Sequence, residues 1–263
     1  MKHFYCIVSC IVPVFLLLVG CSQTEVVLAI NPTAPDVAVN VNIVEPLGEG
    51  TRTTEQEATE IETVETESTE NWIPLFDGES LEGWSIPVFG GDGEVEVRGG
   101  NLVIGRGLMM TGIRYEREFP TINYEIRYEA RRTQGFDFFA ACTFPVNESF
   151  ATFINGGWGG GLTGLSNIDG FDASENETAR FFDYRDNVWH RFRIRVMEDM
   201  IQVWITPQDR EGNWGEEKRV IELETEGREL STRMEADLYK PLGFTTWTSE
   251  GQLRNIEYRL IEQ

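Results

Sequence analysis

The sequence predicts an all-β sandwich domain over residues 72–263 of the 263-residue chain. Apolar and polar residues alternate with a period of two in several segments, which is typical of strands with one buried face. Glycine pairs and short polar turns separate these segments, and no long stretch carries the 3.6-residue apolar stripe of an amphipathic helix. All seven tryptophans lie in this part of the chain, so it holds the material for a core.

The individual strands follow from this alternation. Residues 122–131, 192–196 and 255–260 place apolar side chains at every second position, with charged or polar side chains mostly between them. Hairpins are predicted around Gly99-Gly100 and around Glu198-Asp199. The nearly continuous apolar run 136–144 indicates a central strand that is covered on both faces. Two stacked antiparallel sheets, as a sandwich or jelly roll, accommodate all of these elements.

Residues 1–21 read as a lipoprotein signal peptide. The apolar run 11–19 is too short for a comfortable membrane span and ends in Leu-Val-Gly-Cys, which resembles the bacterial lipobox. Cys21 is therefore the predicted lipidation site; the alternative is an ordinary signal peptide with a chance cysteine. With Ser22 next to it, we expect anchoring in the cell envelope, at the outer membrane, through acyl chains alone.

Residues 22–71 form a different kind of segment. They contain no aromatic residue, are rich in Thr and Glu, and carry a net charge of −10. Such a composition cannot bury enough apolar area to offset chain entropy, so we expect a disordered acidic tether. The domain that follows carries 33 acidic and 20 basic residues, and its net charge of −13 argues against nucleic acid as a partner. Cys142 is its single cysteine, so no internal disulfide can form.

The densest cluster of glycines surrounds Trp158, within residues 155–165. Glycines at this density let the backbone follow a tight path or approach a ligand closely. Trp158 in their midst offers a flat apolar face on which a sugar ring can pack. A twisted strand with its tryptophan in the core explains the same pattern.

An acidic loop follows at residues 167–178. Asp169, Asp172 and Glu175 are closely spaced oxygen donors of the kind that Ca²⁺ prefers, although their spacing is not that of an EF-hand. Alternatively, the aspartates cap turns and the acids are solvated. A third interpretation has these carboxylates bind sugar hydroxyls or move protons.

Other catalytic arrangements are limited by composition. His190 is the only histidine after residue 21, which excludes a histidine-based zinc or iron centre; it is either a general base or a packed histidine. The carboxylate motif Glu-x-Asp-x-x-Glu of sandwich glucanases is approached only at Glu235-Ala236-Asp237, where the last acid is missing. Ordinary retaining hydrolysis of a glucan is therefore disfavoured.

The segment Trp-Ile-Pro-Leu-Phe-Asp-Gly-Glu-Ser-Leu-Glu-Gly-Trp at residues 72–84 resembles the opening motif of the 3-keto-disaccharide hydrolase domain family. Residues 99–102, 187–194, 242–244 and 253–256 resemble later motifs of that family in the same order. The glycine-rich and acidic segments resemble a subgroup of lipoproteins from planctomycete-like bacteria. The Asn-Ser-Gly that the family usually has on its central strand is replaced here by residues 136–139.

The resemblance implies a concanavalin A-like jelly roll that cleaves glycosides already oxidised to a ketone at C3. The ketone acidifies the proton on C2, so a base can remove it, the C1 substituent leaves and water adds back. Such a site needs a base, a donor for the enolate oxygen and an acid, and a divalent cation such as Ca²⁺ can polarise the carbonyl.

The residues and the resemblance together predict nine site positions in the domain. The catalytic candidates are Asp137, Glu175 and His190. The substrate-binding candidates are Trp158, Asn176, Arg180 and Trp247. The metal candidates are Asp169 and Asp172. The expected partner is a 3-keto-glycoside or another glycan; the alternatives are a non-catalytic carbohydrate-binding module and a structural or partner-binding surface lipoprotein.

Overall fold

The computed structural model describes residues 71–262. The predicted signal peptide, the lipidation of Cys21 and the acidic tether lie outside these residues. Within them, no helix has both the length and the apolar character needed to cross a bilayer. The chain forms two stacked antiparallel sheets, which we call the back sheet and the front sheet.

The back sheet has eight strands. In spatial order they are β13 (Lys218–Glu224), β12 (Met200–Pro207), β11 (His190–Val196), β6 (Tyr124–Gln134), β15 (Glu250–Leu260), β4 (Asn101–Ile104) and β3 (Val95–Arg98), with β1 (Ile73–Pro74) pairing with part of β15. The predicted hairpins at Gly99-Gly100 and Glu198-Asp199 join β3 to β4 and β11 to β12. Both glycines of the first turn have positive φ, as a two-residue turn of this kind requires.

The front sheet has seven strands. In spatial order they are β10 (Arg180–Phe181), β9 (Leu162–Ser166), β8 (Ser149–Gly156), β7 (Ala141–Val146), β14 (Leu242–Trp247), β5 (Met110–Tyr115) and β2 (Trp84–Ser85). A 3₁₀ helix over Met234–Tyr239 precedes β14. Chain neighbours such as β6 and β7 lie in different sheets, so the chain repeatedly crosses between layers. This confirms the predicted concanavalin A-like jelly roll of two antiparallel sheets.

The core lies between the two sheets and is built by the predicted alternation. Along β11, buried and half-buried residues alternate without a break, and Phe192, Ile194 and Val196 point inward. Aromatic side chains from both layers fill the centre, and each fully buried Phe contributes about 1.5–3 kcal/mol to stability. Tyr124 and Tyr128 donate hydrogen bonds across the layers to the carbonyls of Pro145 and Ala140, at 2.6 and 3.1 Å.

The run 136–144 differs from its prediction at one end. β7 is central and buried as expected, but it begins at Ala141. Residues 135–140 instead form a crossover loop. The side chain of Asn155, from β8, accepts the backbone N–H of Ala140 in this loop at 3.1 Å and donates to its carbonyl at 2.8 Å. Gly251 passes so close to this loop that a Cβ there would lie 1.8 Å from the carbonyl oxygen of Phe139. The apolar run predicted burial correctly for residues 138–144, but Phe136 is 61% exposed and only the residues from Ala141 onward form a strand.

The opening motif, residues 72–84, has a structural role. Asp77 accepts hydrogen bonds from the backbone N–H groups of Glu79 and Ser80, both at 2.8 Å, and these bonds lower the pKa of its carboxyl. Trp84 is buried and donates its indole N–H to the carbonyl of Leu75 at 2.9 Å. Gly78 has φ of 79°, a backbone conformation that favours glycine. The motif therefore fixes the start of the domain.

Candidate functional site

A groove of about 250 Å³ lies on the outer face of the front sheet. Its floor is formed by residues that alternate with the core-facing ones, so Thr152 of β8, Ser166 of β9 and Thr245 of β14 direct hydroxyl groups outward. The remaining polar and aromatic lining comes from loops beside the sheet. These residues are Asp137, Trp158, Arg233, Glu235 and Trp247.

Trp158 forms one wall of the groove from the turn between β8 and β9. It is 49% exposed and has φ of 47°, in the left-handed region, between Gly156 and Gly159, which also have positive φ. A bulky side chain in this region costs roughly 1–2 kcal/mol, and strain of this kind is frequent at functional sites. The ring is therefore held outside the core. This position agrees with the hypothesis of a sugar platform and disagrees with the alternative of a core tryptophan.

Asp137 lies next to this turn. One carboxylate oxygen accepts the backbone N–H of Phe138 at 2.8 Å, and the other lies 3.5 Å from the N–H of Gly159. Ser249 binds the backbone of Asp137 on both sides, at 2.9 and 3.1 Å, which fixes the position of the residue. Among residues 71–262, no cation forms an ion pair with this carboxylate, so it remains available to a ligand.

Trp247 lies at the end of β14. Its backbone N–H donates to the carbonyl of Phe138 at 3.0 Å, and the two rings pack at a centroid distance of 6.2 Å. The loop that carries Asp137 is thereby joined to β14. Trp158 and Trp247, both predicted as substrate platforms, line the same groove as Asp137.

Arg233 and Glu235 enter the groove from the start of the 3₁₀ helix. Arg233 Nη1 lies 2.5 Å from Asp172 Oδ2, and its Nε lies 3.6 Å from Glu235 Oε2. Burial lowers the pKa of the Arg233 guanidinium, but the carboxylates of Asp172 and Glu235 outweigh that effect and raise it overall. Tyr239 packs the 3₁₀ helix against Gly112 and Gly243. A Cβ at either glycine would lie only 2.5 or 2.6 Å from an atom of Tyr239, so this packing needs glycine at both positions.

Neither Arg233 nor Glu235 is among the site residues that the sequence predicts. The segment Glu235-Ala236-Asp237 matches the glucanase motif only in part, yet Glu235 lines the groove. Arg233 gave no local signal because its partner Asp172 lies 61 positions earlier. Backbone pairing of Asp169 with Glu229 brings the two segments together, and only the folded chain shows it.

The acidic loop acts as a scaffold beside the groove. Asp172 holds Arg233 and accepts a hydrogen bond from Ser166 at 3.3 Å. Asn176 donates to three carbonyls of the loop and its neighbouring strand, and its own oxygen accepts from Thr178. The amide of Asn176 is thus occupied inside the protein, which corrects its predicted role as a donor to substrate.

The predicted metal site does not fit this geometry. Asp169 is bound to Arg228 at 2.7 Å and to the backbone N–H of Glu229, contacts that lower its pKa, while Asp172 is bound to Arg233. The two carboxylates therefore serve different arginines. Across the part of the chain that the structure describes, no group of three or more His, Cys, Asp or Glu side chains is placed to hold a metal ion. The alternative interpretation, in which the aspartates cap turns and are solvated, does not describe these contacts either, because both side chains bind partners about 60 positions later in the chain.

Glu175 and Arg180 lie outside the groove lining. Glu175 is exposed on the acidic loop, where its backbone N–H donates to Asp172. Arg180 is exposed on β10, and its Nη1 donates to the carbonyls of Glu177 and Ala179, both within 3 Å. Their predicted roles in proton transfer and substrate binding receive no support from these positions.

His190 lies in the core, which corrects its prediction as a catalytic base. It is 2% exposed and packs among Phe139, Phe182, Tyr184 and Phe192, with ring centroids 5.0–6.4 Å away. Burial lowers the pKa of the imidazole to about 4, and its Nδ1 atom has no hydrogen-bond partner. The alternative of a packed histidine describes this environment.

Three solved structures illustrate what the fold is similar to. The catalytic domain of a glycoside hydrolase family 131 protein from Coprinopsis cinerea is 10% identical over 60% of this chain and 69% of its own, with a TM-score of 0.40. A seed lectin from Lotus tetragonolobus is 10% identical over 69% and 95% of the two chains, with a TM-score of 0.41. A glycosyl hydrolase family 16 protein from Mycobacterium smegmatis is 11% identical over 68% and 93%, with a TM-score of 0.40.

Sequence comparison gives a family. No curated protein matches the chain. The profile of the 3-keto-alpha-glucoside-1,2-lyase-like domain matches residues 71–258, a range that includes every residue lining the groove. The chain therefore belongs to this family, the 3-keto-disaccharide hydrolase domain family, and its function is related to carbohydrate.

Proposed function

We propose that the domain cleaves 3-keto-glycosides by eliminating the C1 substituent and then adding water. The observation that carries the proposal is the groove itself. It combines the free carboxylate of Asp137, the fixed guanidinium of Arg233 and two tryptophan faces, in a domain whose family is named for a 1,2-lyase.

The first step is removal of the C2 proton. The ketone at C3 makes this proton acidic, and the carboxylate of Asp137 accepts it while the C–H electron pair moves into an enolate. Asp137 suits this role because its position is fixed by Ser249 and Phe138, whereas no cation holds its charge. The other groove carboxylate, Glu235, lies within 3.6 Å of Arg233 and is less free to accept a proton.

Arg233 is the proposed stabiliser of the enolate oxygen. A guanidinium remains charged throughout the reaction and offers several donors in one plane. Because Asp172 and Glu235 hold it in place, little reorganisation is needed when negative charge develops on the C3 oxygen. This arrangement supplies the electrophile without a metal ion at Asp169 or Asp172.

Elimination and hydration complete the cycle. The enolate collapses to a C1=C2 double bond conjugated to the ketone, the C1–O bond breaks, and the leaving oxygen takes the proton that Asp137 had accepted. Water then adds its hydroxyl to C1 and a proton to C2, with Asp137 again the base. The net reaction is hydrolysis, and one carboxyl group suffices, so the reaction does not require the Glu-x-Asp-x-x-Glu motif of the sandwich glucanases.

Substrate binding would use the aromatic walls and the hydroxyl floor. Trp158 and Trp247 offer faces for the two sugar rings or for a ring and an aglycone. Thr245 supplies a hydroxyl group that can donate to and accept from sugar hydroxyls, whereas Ser166, whose proton goes to Asp172, can only accept, and Thr152 shares a hydrogen bond with Thr143. The groove is mostly apolar between these points, as in many carbohydrate and small-molecule sites.

The direct test is turnover of p-nitrophenyl 3-keto-glucoside by the purified protein, with p-nitrophenyl glucoside as the unoxidised control. We expect p-nitrophenol release only from the keto compound, and Asp137→Asn should lower kcat about 10²–10⁴-fold. Glu175→Gln is the matched control, because it removes a carboxylate outside the groove. Equal loss in both variants, or release from the unoxidised glucoside, would contradict the assignment.

Two further measurements separate the alternatives. In D₂O, elimination followed by hydration places deuterium at C2 of the product, whereas direct displacement at C1 leaves C2 unlabelled. Binding of the keto-sugar without any turnover would instead support the non-catalytic carbohydrate-binding module. Failure to bind any sugar would leave the structural or partner-binding role.

We further propose display at the cell envelope through a lipid on Cys21, on the strength of the sequence pattern that precedes it. The protein should fractionate with membranes and carry acyl chains detectable by mass spectrometry. Cys21→Ser should abolish both. A protein that stays in the membrane fraction after this change would contradict lipid anchoring at Cys21.

A further inference from the structure

The groove on the front sheet differs in chemistry between its two ends. The strand register places one row of residues side by side on the outer face, namely Ser166, Thr152, Thr143 and Gly243. Four residues further along β14, Trp247 pairs with Met110 in a second row. At about 3.3 Å per residue, the two rows lie about 13 Å apart. The groove, which is lined from both rows, therefore has a polar end and an apolar end.

The polar end carries the charged groups of the groove that belong to the 3₁₀ helix. Asp172 accepts a hydrogen bond from Ser166 at 3.3 Å and also pairs with Arg233, so it ties the guanidinium to the polar row. Glu235 lies within 3.6 Å of the same guanidinium. In the proposed reaction Arg233 meets the oxygen on C3, so the oxidised sugar occupies this end.

The apolar end belongs to a second hydrophobic cluster, which is separate from the core between the sheets. Met110, Phe138 and Ile154 are buried members of this cluster, and Trp247 packs against it. All four line the groove together with Trp158. Apart from Asp137, the described side chains at this end offer no hydrogen-bonding group stronger than an indole N–H.

Exposed apolar side chains continue this end towards the protein surface. Leu108 and Met109, which precede Met110, are 81% and 44% exposed, and Phe136, which precedes Asp137, is 61% exposed. The N–H of Thr248 donates to the carbonyl of Met109 at 3.0 Å, so this segment adjoins the end of β14. Neighbouring exposed apolar side chains of this kind mark surfaces that bind apolar ligands.

Asp137 lies beside the apolar end. A Cβ on Gly157 would lie 2.8 Å from the side chain of Ile154 and 3.8 Å from Asp137 Oδ1, which places the carboxylate next to the turn that carries Trp158. A 3-keto-glycoside has its ketone at C3, its acidic proton at C2 and its leaving group at C1. With the ketone at Arg233 and the C2 proton at Asp137, the leaving group points to the apolar end.

We infer that the leaving group is an aromatic alcohol, so that the substrates are 3-keto-glycosides of aryl or arylalkyl alcohols and not 3-keto-disaccharides. The inference rests on the proposed function, which determines the end that holds the ketone. A second sugar at the apolar end would lose water from several hydroxyl groups and find few side-chain partners in exchange. An aromatic ring would instead bury apolar surface and stack on the tryptophans.

Isothermal titration with 2-naphthylmethyl glucosides tests the inference, with maltose and cellobiose as the disaccharides for the α and β anomers. None of these sugars is oxidised at C3, so binding is measured without turnover. We expect Kd to be at least about tenfold lower for a naphthylmethyl glucoside than for the disaccharide of the same anomer. Trp158→Gly should remove most of this difference. The matched control Trp214→Gly removes a tryptophan that stacks on Arg191 of the back sheet and should leave Kd within about twofold.

Phe136→Ser is a second variant that does not depend on the folding of the glycine-rich turn. Because the Phe136 side chain is mostly exposed, its loss should leave Tm unchanged and weaken binding of the naphthylmethyl glucoside alone. Equal or tighter binding of the disaccharides, no binding of either naphthylmethyl glucoside, or equal weakening by Trp214→Gly would overturn the inference.

Kinetics with the 3-keto forms of the same sugars separates this inference from the proposed function. An arylmethanol is a poorer leaving group than a sugar hydroxyl, so a higher kcat/KM for the naphthylmethyl compound reflects binding and not leaving-group acidity. We expect kcat/KM to be at least about tenfold higher for this compound, and a preference for the keto-disaccharide would overturn the inference. No turnover of any keto-glycoside, with the aryl preference in binding retained, would refute the elimination and leave the assignment of the apolar end intact.

Discussion

Replacing the buried carboxylate of Glu125, on strand β6 of the back sheet, should strongly destabilise the domain. Glu125 is fully buried and bound by Arg193 Nη1, Arg195 Nε and Arg259 Nε, each at 2.7 Å. Glu125→Gln would leave three guanidinium groups close together with one neutral acceptor among them. Removal of one partner from a buried ion pair costs about 3–5 kcal/mol.

The partial exposure of the arginines sets the expected magnitude. Their side chains are 17%, 35% and 22% exposed, so water screens part of the repulsion that the substitution creates. We therefore expect the low end, a loss of about 3 kcal/mol in the free energy of unfolding. For a domain of this size, that loss corresponds to a fall in Tm of roughly 6–12 °C.

The measurement is urea denaturation, with thermal unfolding as a second probe. Glu222→Gln is the matched control, because Glu222 pairs with Arg219 and Gln202 on the same sheet but is 43% exposed. An exposed pair of this kind contributes about 1 kcal/mol or less. If Glu125→Gln destabilised the domain no more than Glu222→Gln, the buried carboxylate would not be the element that holds the arginines in place.

The pH dependence of stability follows from the same residue. Burial raises the pKa of Glu125, but the hydrogen bonds and charges of Arg195, Arg193 and Arg259 outweigh it, and the net pKa lies below the ordinary value of 4.5. A lowered folded-state pKa means that the stabilisation is complete above pH 4.5 and is lost as pH falls through the folded-state value. Glu125→Gln should flatten that part of the profile.

Three other predictions concern the groove and the core. Asp172→Asn should lower kcat about tenfold or more with a smaller change in KM, because Arg233 loses its closest carboxylate; an unchanged kcat would contradict the positioning role. Trp158→Gly should weaken binding of the keto-sugar without lowering Tm, since glycine relieves the left-handed backbone; a marked fall in Tm would show that the ring is needed for packing. The wild-type domain should lose about 3 kcal/mol of stability as pH falls from 6.5 to 4, because the unfolded histidine binds a proton that the buried histidine does not, and His190→Phe should remove this loss. Retained activity of the variant would show that the imidazole takes no part in catalysis.

Much of the fold could be predicted because alternation records which face of a strand is buried. In β6 and β11 the pattern persists for seven or more residues, so one short deviation does not obscure it. The run 136–144 shows the limit of the argument. Residues 138–144 are buried for two different reasons, a central strand and a crossover loop packed under Gly251, whereas Phe136 is exposed; apolar composition does not distinguish these three situations.

The site was only partly predictable because its residues come from segments far apart in the chain. Trp158 and Asp137 gave local signals, a tryptophan among glycines and an acid in an apolar run. Arg233 gave none, since its role depends on the pairing of residues near Asp169 with residues near Glu229. His190 was misleading for a different reason. A lone histidine attracts a catalytic interpretation, but the alternation of β11 already placed it on the core face with Phe192.

The family motif and the groove carry separate information. Asp77, Gly78 and Trp84, in the opening motif that resembles the family, cap a turn, adopt a positive φ and fill the core, so their role is structural. The groove residue Asp137 instead lies where the family usually has Asn-Ser-Gly. A protein of this family can keep the opening motif at residues 72–84 and still differ in the groove. Family membership therefore establishes the fold and a general relation to carbohydrate. The identity of the catalytic base has to be tested separately, at Asp137. A comparison of the activities of Asp137→Asn and the control Glu175→Gln decides that question, because both variants leave the opening motif unchanged.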